Sequence, residues 1–213
     1  MNVNDKIYTF LCVLFAVLVI TGNLIYQKFV SLSVLSIYTF ELSVGAILYP
    51  LTFLLTDLIA EFYGKEKSGF CIKLAIVMNV IIVIVVALMD NLNATSWSKI
   101  DNKTFHMVFG KHSINFIASI IACYTAQLID IRIYLWIRNV TNGNFLWLRN
   151  NCSTAISLLI DTTIVISILC MFGVLPTDHM LPIIISSYLF KLFFTICSTP
   201  LFYFGVWVIG KMQ

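Results

Sequence analysis

The sequence predicts an all-α integral membrane protein, a bundle of six transmembrane helices that forms a single domain over residues 1–213. Hydrophobic residues make up 60% of the chain and charged residues only 11%, whereas a typical soluble domain carries about 25% charged residues. Six apolar segments also reach the length of about 20 residues that a helix needs to cross a bilayer. They lie near residues 7–26, 33–62, 70–89, 113–137, 152–173 and 182–209.

The first apolar segment is interpreted as a true span because no small-residue cleavage site follows it. Its outer end carries the amides of Asn23 and Gln27. Amide side chains at the end of a span can turn toward a polar interior, and Asn23 is a candidate site residue.

The second segment is longer than a bilayer requires and carries Glu41, Asp57 and Glu61. Each ionised carboxylate in hydrocarbon costs about 2.5–3.5 kcal/mol, so these residues are expected to face protein or water. Pro50 lacks an amide hydrogen and clashes with the carbonyl four residues earlier. We therefore predict a long second helix that is kinked at Pro50. Glu61 also precedes Lys65 by four residues, a spacing that favours a simple ion pair at the membrane boundary.

The third span contains little polar character and is expected to pack or face lipid. The fourth span, in contrast, has a polar stripe at helical spacing, which predicts a face turned toward protein or water. The members of this stripe are Asn115, Ser119, Cys123, Gln127, Asp130 and Tyr134.

The fifth and sixth spans carry polar stripes as well. Ser153, Ser157 and Asp161 follow one another at steps of four, and the sixth span places Lys191 inside the membrane. Asp161 and Lys191 fit two roles that the sequence leaves open. They either form a structural ion pair between the two spans or contact a ligand.

The basic residues divide unevenly between the two sides of a six-span arrangement. The positive-inside rule then predicts a multi-pass protein with both termini in the cytoplasm. On this topology Asp57, Asp130 and Asp161 share the cytoplasmic half of the bilayer, so one common cavity is predicted. The side that holds the termini collects Lys6, Lys65, Lys67, Lys73, Arg132, Arg138, Arg149 and Lys211.

Several classes of function are disfavoured by missing motifs. The sequence has no phosphate-binding glycine loop, nucleophile elbow, metal-ligand spacing or nucleic-acid motif, so no cofactor, metal or nucleic-acid partner is expected. Two aspartates on consecutive spans would suit an intramembrane aspartyl protease, but neither Asp130 nor Asp161 has a flanking glycine. We therefore do not predict an enzyme. The oligomeric state is left open.

Three motifs resemble those of the queuosine-precursor transporter family, also called the vitamin uptake transporter family. They are "TGNLIYQK" (21–28), "PLTFLLTDLIAEFYGKEKS" (50–68) and "WLRNNCSTAISLLIDTTI" (147–164). The resemblance implies a six-span transporter of the bacterial inner (plasma) membrane. It would import 7-deazaguanine bases, queuosine precursors or queuine, and so supply tRNA modification. One departure is Leu158, because the family commonly has Gln at this position. An alternative role is the substrate-binding membrane subunit of an ATP-driven vitamin importer.

The chemistry of such a base suits the polar residues of the spans. A carboxylate can accept two adjacent N–H groups of a guanine-like edge, and amides can serve its carbonyl oxygen. Tyr49, Phe53 or Tyr134 could stack on the flat ring. The predicted substrate site comprises Asn23, Glu41, Asp57, Gln127, Asp130, Asp161 and Lys191.

Overall fold

The computed structural model describes residues 2–26, 28–34, 38–110 and 113–212, and these form six α-helices and one β-hairpin. Five helical segments are long and apolar enough to cross a membrane. The only short helix among the described residues, α3, lies in the loop that joins two of them. The elements are α1 (Val3–Leu24), β1 (Phe29–Val34), β2 (Tyr38–Ser43), a 3-10 turn (Val44–Ile47), α2 (Tyr49–Asp90), α3 (Asn102–Phe109), α4 (Ser113–Val140), α5 (Leu146–Met171), a second 3-10 turn (Thr177–His179) and α6 (Met180–Met212).

The second helix is interrupted at Gly64, whose backbone angles (φ 76°, ψ −177°) are not helical. We call the part before the break α2a (49–63) and the part after it α2b (65–90). Both sides of the break meet the beginning of α1. Tyr63 donates a hydrogen bond to the Asn4 carbonyl (3.0 Å), and Tyr8 donates one to the Lys67 carbonyl (2.9 Å).

The far ends of both halves meet the end of α1. Asn23 donates to Asn79 in α2b at 3.2 Å, and Gly45, just before α2a, lies against the Gly22 backbone. The chain therefore reverses direction at Gly64, and α2a and α2b cross the membrane separately. With α1, α4, α5 and α6, they make the six predicted crossings.

The predicted fold class is confirmed, including a long and kinked second helix. The position of the kink was wrong, however, because Pro50 lies in the first turn of α2. A first-turn amide has no partner within its own helix, so proline is tolerated there without a bend. The break falls instead at Gly64, in a backbone region that is essentially restricted to glycine.

The beginning of the predicted second span is not helical, which is a further correction. Residues 29–34 and 38–43 pair as an antiparallel hairpin, with Val30 opposite Leu42 and Leu32 opposite Phe40. The sequence alternates apolar and polar residues here, the pattern of a half-buried strand, so this signal was available. Leu42 and Phe40 are buried, and Phe40 packs edge-on against Phe190 of α6 (5.5 Å between ring centroids).

The contacts between helices also fix their directions. Tyr49 meets Ser119 and Glu61 meets Tyr134, so α2a and α4 run in parallel. Arg149 meets Tyr134 near the beginning of α5, and the second half of α5 packs with the first half of α4, so α5 runs opposite to α4. The final turns of α6 join the same apolar cluster as the first turns of α1. Both termini thus lie at one end of the bundle, where Glu61 also lies.

Gly64→Ala is expected to lower the free energy of unfolding by about 1–3 kcal/mol, the usual cost of a side chain in a sparsely populated backbone region. No atom lies within 4 Å of a Cβ built at this position, so the cost arises from the backbone alone. Unfolding in mixed detergent micelles measures it. Gly69→Ala is the matched control, because that glycine is helical and also has open space around its Cβ. Equal stability of the two variants would contradict the proposed strain at Gly64.

Candidate functional site

A cavity lies between the helices, in the half of the bundle away from the termini. It is bounded by α1, the 3-10 turn before α2a, α2a, α4, α5 and α6. Its wall is both polar and apolar, as in most small-molecule sites. The lining residues are Asn23, Tyr26, Ser43, Ala46, Tyr49, Phe116, Ser119, Asp161, Thr162, Val165, Ile166, Leu175, Ile183, Ser187 and Lys191.

An ion pair between α5 and α6 forms one side of the cavity. Lys191 Nζ lies 2.8 Å from Asp161 Oδ2 and 3.1 Å from Thr162 Oγ1. It also lies 4.7 Å from the centre of the Tyr49 ring, within cation–π range. The predicted Asp161–Lys191 pair is thus formed, and both members line the cavity, so the two roles that the sequence left open are compatible.

One carboxylate oxygen of Asp161 remains available. Asp161 Oδ1 is buried and accepts no hydrogen bond from the described residues. An unsatisfied buried acceptor costs about 1–3 kcal/mol, and more when charged. A ligand with an N–H group in the cavity would remove that cost.

A chain of hydrogen bonds forms another part of the cavity wall. Ser119 donates to Asn23 Oδ1 at 2.6 Å and lies 3.2 Å from the Tyr49 hydroxyl. Asn23 in turn donates to Asn79 at 3.2 Å. An amide nitrogen carries two N–H groups, so Asn23 retains one donor beyond the bond to Asn79. The third predicted span, which corresponds to α2b, was expected only to pack or face lipid. It nevertheless contributes Asn79, which orients Asn23.

A second polar cluster lies next to the cavity, toward the end that holds the termini. Asp57 of α2a and Asp130 of α4 are fully buried, and their carboxyl groups are close enough to interact directly. Thr154 Oγ1 lies 3.5 Å from Asp57 Oδ2, the limit of a hydrogen bond. Neither aspartate belongs to any ion pair within the described ranges.

Gln127 is held by α2a rather than exposed to the cavity. Its Oε1 accepts a hydrogen bond from Thr56 at 2.7 Å, and its Nε2 lies 3.4 Å from Thr52 Oγ1. Both carboxamide atoms are therefore engaged, and Gln127 joins α4 to α2a. This contact fixes the register of the two helices that carry Asp57 and Asp130.

A third polar cluster closes the end of the bundle that holds the termini. Arg149 donates to Glu61 at 2.6 Å and to the Tyr134 hydroxyl at 3.1 Å, and Tyr134 donates to Glu61 at 2.9 Å. Arg138 Nε lies 3.7 Å from Glu61. The expected Glu61–Lys65 pair was wrong, because Glu61 points toward α4 and α5. Buried arginine offers it a planar donor that neutralises its charge.

The predicted site residues thus separate into groups. Asn23, Asp161 and Lys191 meet at the cavity, whereas Asp57, Gln127 and Asp130 lie beside it and are not part of its lining. The Gln27 position and the side chains of Glu41 and Asn115 lie outside the described residues.

Some lining residues were not predicted. Thr162 accepts a hydrogen bond from the Lys191 ammonium. It follows Asp161 directly, so it does not belong to the stripe of residues at steps of four. Ser43, which donates to the Tyr26 carbonyl, reaches the cavity through the hairpin that the sequence interpretation had treated as helix.

Six helical segments of the described residues surround a partly polar interior cavity, an arrangement typical of multi-pass transporters of small solutes. A family model described as "Putative vitamin uptake transporter" matches residues 43–205. The chain is also 30% identical over 162 residues to the "Probable queuosine precursor transporter" of Bacillus subtilis (strain 168), covering 76% of this chain and 70% of that protein. The protein therefore belongs to the vitamin uptake transporter family, which confirms the resemblance seen in the sequence. No solved structure matches it.

Proposed function

We propose that the protein imports a 7-deazaguanine base, a queuosine precursor or queuine, and so supplies tRNA modification. The carrying observation is the cavity in which a buried carboxylate oxygen of Asp161 lacks a partner among the described residues. The similarity to the Bacillus subtilis protein, whose name specifies a queuosine precursor, supports this choice of substrate.

The cavity offers complementary groups to such a base. Asp161 Oδ1 accepts a ring or exocyclic N–H, and the remaining Asn23 donor or the Lys191 ammonium serves the ring carbonyl. Tyr49 and Phe116 provide aromatic surface for a flat ring. Asp57, Gln127 and Asp130 belong to the adjacent cluster and support the wall against which the base binds.

The orientation that we propose places the end with both termini in the cytoplasm and the protein in the bacterial plasma membrane. The Glu61 cluster, with Arg138 and Arg149, lies at this end. The exposed Lys65 and Lys67 lie there as well, beside the reversal at Gly64. Such an excess of basic residues is typical of cytoplasmic loops. The cavity then lies nearer the outer surface.

Leu158 gives this chain an apolar wall where the family commonly has an amide. Its side chain is fully buried and packs with Tyr49, Phe53 and Ala126. Since Tyr49 also lines the cavity, this cluster contacts the substrate site from behind. Competition by the nitrile precursor, the aminomethyl precursor and queuine for uptake of a labelled base measures which of the three the protein prefers.

Asp161→Asn is expected to weaken uptake by about 10- to 150-fold at low substrate concentration, because a hydrogen bond to a charged group contributes about 1.5–3 kcal/mol. The measurement is uptake of a radiolabelled precursor in cells that neither make nor import it, with tRNA queuosine content as a second readout. Immunoblotting corrects for the amount of protein in the membrane.

Asp178→Asn is the control, because this carboxylate is exposed in the turn before α6 and should leave uptake unchanged. Wild-type uptake by Asp161→Asn at matched protein level would refute the assignment of Asp161. Transport by the purified chain alone in liposomes separates this function from the alternative, a subunit that requires an ATPase.

A further inference from the structure

The Asp57–Asp130 pair is not explained by the substrate site. Both aspartates are fully buried, and three of their four carboxyl oxygens have no hydrogen-bond partner in the described part of the chain. The fourth, Asp57 Oδ2, has only the 3.5 Å contact with Thr154. Two ionised carboxylates in contact inside a low-dielectric protein would repel each other strongly.

Two buried hydroxyls of α5 flank the pair. Ser157 Oγ is fully buried and lacks a hydrogen-bond partner among the described residues. It lies next to Asp130, as does Ser153 one turn earlier on α5. These hydroxyls can donate to Asp130, but Asp57 Oδ1 still lacks a donor among the described residues. Since buried polar atoms are nearly always hydrogen bonded, this oxygen indicates a missing occupant or a missing proton.

The charged and titratable groups around the pair already have partners of their own. Glu61, one turn along α2a from Asp57, is neutralised by Arg149 and Arg138. Lys191 of α6 is bound to Asp161. Tyr134, one turn along α4 from Asp130, is hydrogen bonded to Glu61 and Arg149. The described neighbours therefore supply no cation to the pair.

We propose that Asp57 and Asp130 share one proton and that this site couples movement of the substrate to movement of protons. The coupling rests on the proposed transport function, whereas the shared proton does not. A single proton leaves one negative charge on the pair and provides an O–H donor for one of the unsatisfied oxygens. Its loss leaves two negative charges in contact, which pushes α2a away from α4.

The position of the pair suits this role. Ser157 precedes Asp161 of the cavity by one turn of α5, and Asp57 precedes Glu61 of the terminal cluster by one turn of α2a. The pair thus lies between the substrate cavity and the ion pairs that close the opposite end. A change in its charge acts on the contact of α2a with α4 and α5, which both of those sites share.

The first test uses the purified protein in liposomes whose membrane potential is clamped at zero, with the uncharged, radiolabelled nitrile precursor. With the outside one pH unit more acidic, transport of one proton per base would give a limiting accumulation of about tenfold. Asp57→Asn and Asp130→Asn are expected to reduce this accumulation ratio toward one. Asp101→Asn, a change in an exposed cap of α3, is the control and should behave as the wild type.

Two results of this assay would overturn the coupling. One is accumulation that ignores the pH gradient in a wild-type protein that still exchanges labelled for unlabelled base. The other is accumulation driven by a sodium gradient at equal pH, which would make the pair a sodium site. Failure of the exchange itself would instead refute the proposed transport function.

A second measurement addresses the proton without any transport. Infrared spectra of the substrate-free protein at neutral pH should show the carbonyl stretch of a buried, protonated carboxylic acid, which an ionised carboxylate lacks. Both Asp57→Asn and Asp130→Asn should remove this band, and Asp101→Asn should keep it. A wild-type spectrum without the band would overturn the shared proton, whatever the transport assay shows.

Discussion

Glu61→Gln is expected to lower the free energy of unfolding by about 3 kcal/mol. The change removes a charge but keeps the shape of the side chain, and it leaves the Arg149 guanidinium buried without a counter-ion. Removing one partner of a buried ion pair typically costs about 3–5 kcal/mol. We expect the lower end because Arg149 keeps its bonds to the Gly143 carbonyl (2.8 Å) and the Tyr134 hydroxyl.

Unfolding of the purified variant in mixed detergent micelles measures this loss. Glu66→Gln is the matched control, since Glu66 belongs to the same long helix but is exposed, and a change within about 0.5 kcal/mol is expected there. The double variant Glu61→Gln/Arg149→Gln should recover part of the loss, because it no longer buries an unpaired charge. Additive losses in the double variant would show that the two side chains act independently.

Gly45→Ala is expected to destabilise the protein by about 3 kcal/mol and to impair uptake as well. A Cβ at this position would lie 2.1 Å from the Gly22 carbonyl oxygen and 3.1 Å from the Tyr26 Cα, so only a backbone shift could accommodate it. Overpacking of a tight contact usually costs about 1–3 kcal/mol. The shift would also displace Asn23 and Ala46, which line the cavity.

Gly210→Ala serves as the control, because this glycine is helical and no atom lies within 4 Å of its added Cβ. The comparison uses the free energy of unfolding and the initial rate of precursor uptake at equal protein level. A Gly45→Ala protein with the stability and uptake of Gly210→Ala would contradict the close approach of α1 and the 3-10 turn.

Local features of the sequence were sufficient for the class of protein and for the faces of its helices. Apolar segments of spanning length need no tertiary contact to favour a bilayer, because the transfer of their side chains from water to hydrocarbon is itself favourable. The stripe on α4 was likewise informative, and Gln127, Asp130 and Tyr134 are all buried in the bundle. Residues at helical spacing share one face whatever that face meets.

The chain reversal depended on context that the sequence pattern did not supply. Pro50 bends a helix only if it lies inside one, and the helix begins at Tyr49. Gly64 looked unremarkable in the sequence, although its positive φ provides the reversal between two crossings. The hairpin and the 3-10 turn occupy the residues before Tyr49, so Pro50 falls in the first turn of α2 rather than in its interior.

The sequence by itself therefore determined that this protein crosses the membrane six times with acidic residues turned inward. Only the tertiary structure decided the partner of each acid. Glu61 joins Arg149, 88 residues away, rather than Lys65, and Asp161 joins Lys191, while Asp57 lies beside a second aspartate, Asp130. The physical reason is that helical periodicity fixes the direction of a side chain within its own helix. Its neighbour depends on the register and packing of helices that are distant in sequence.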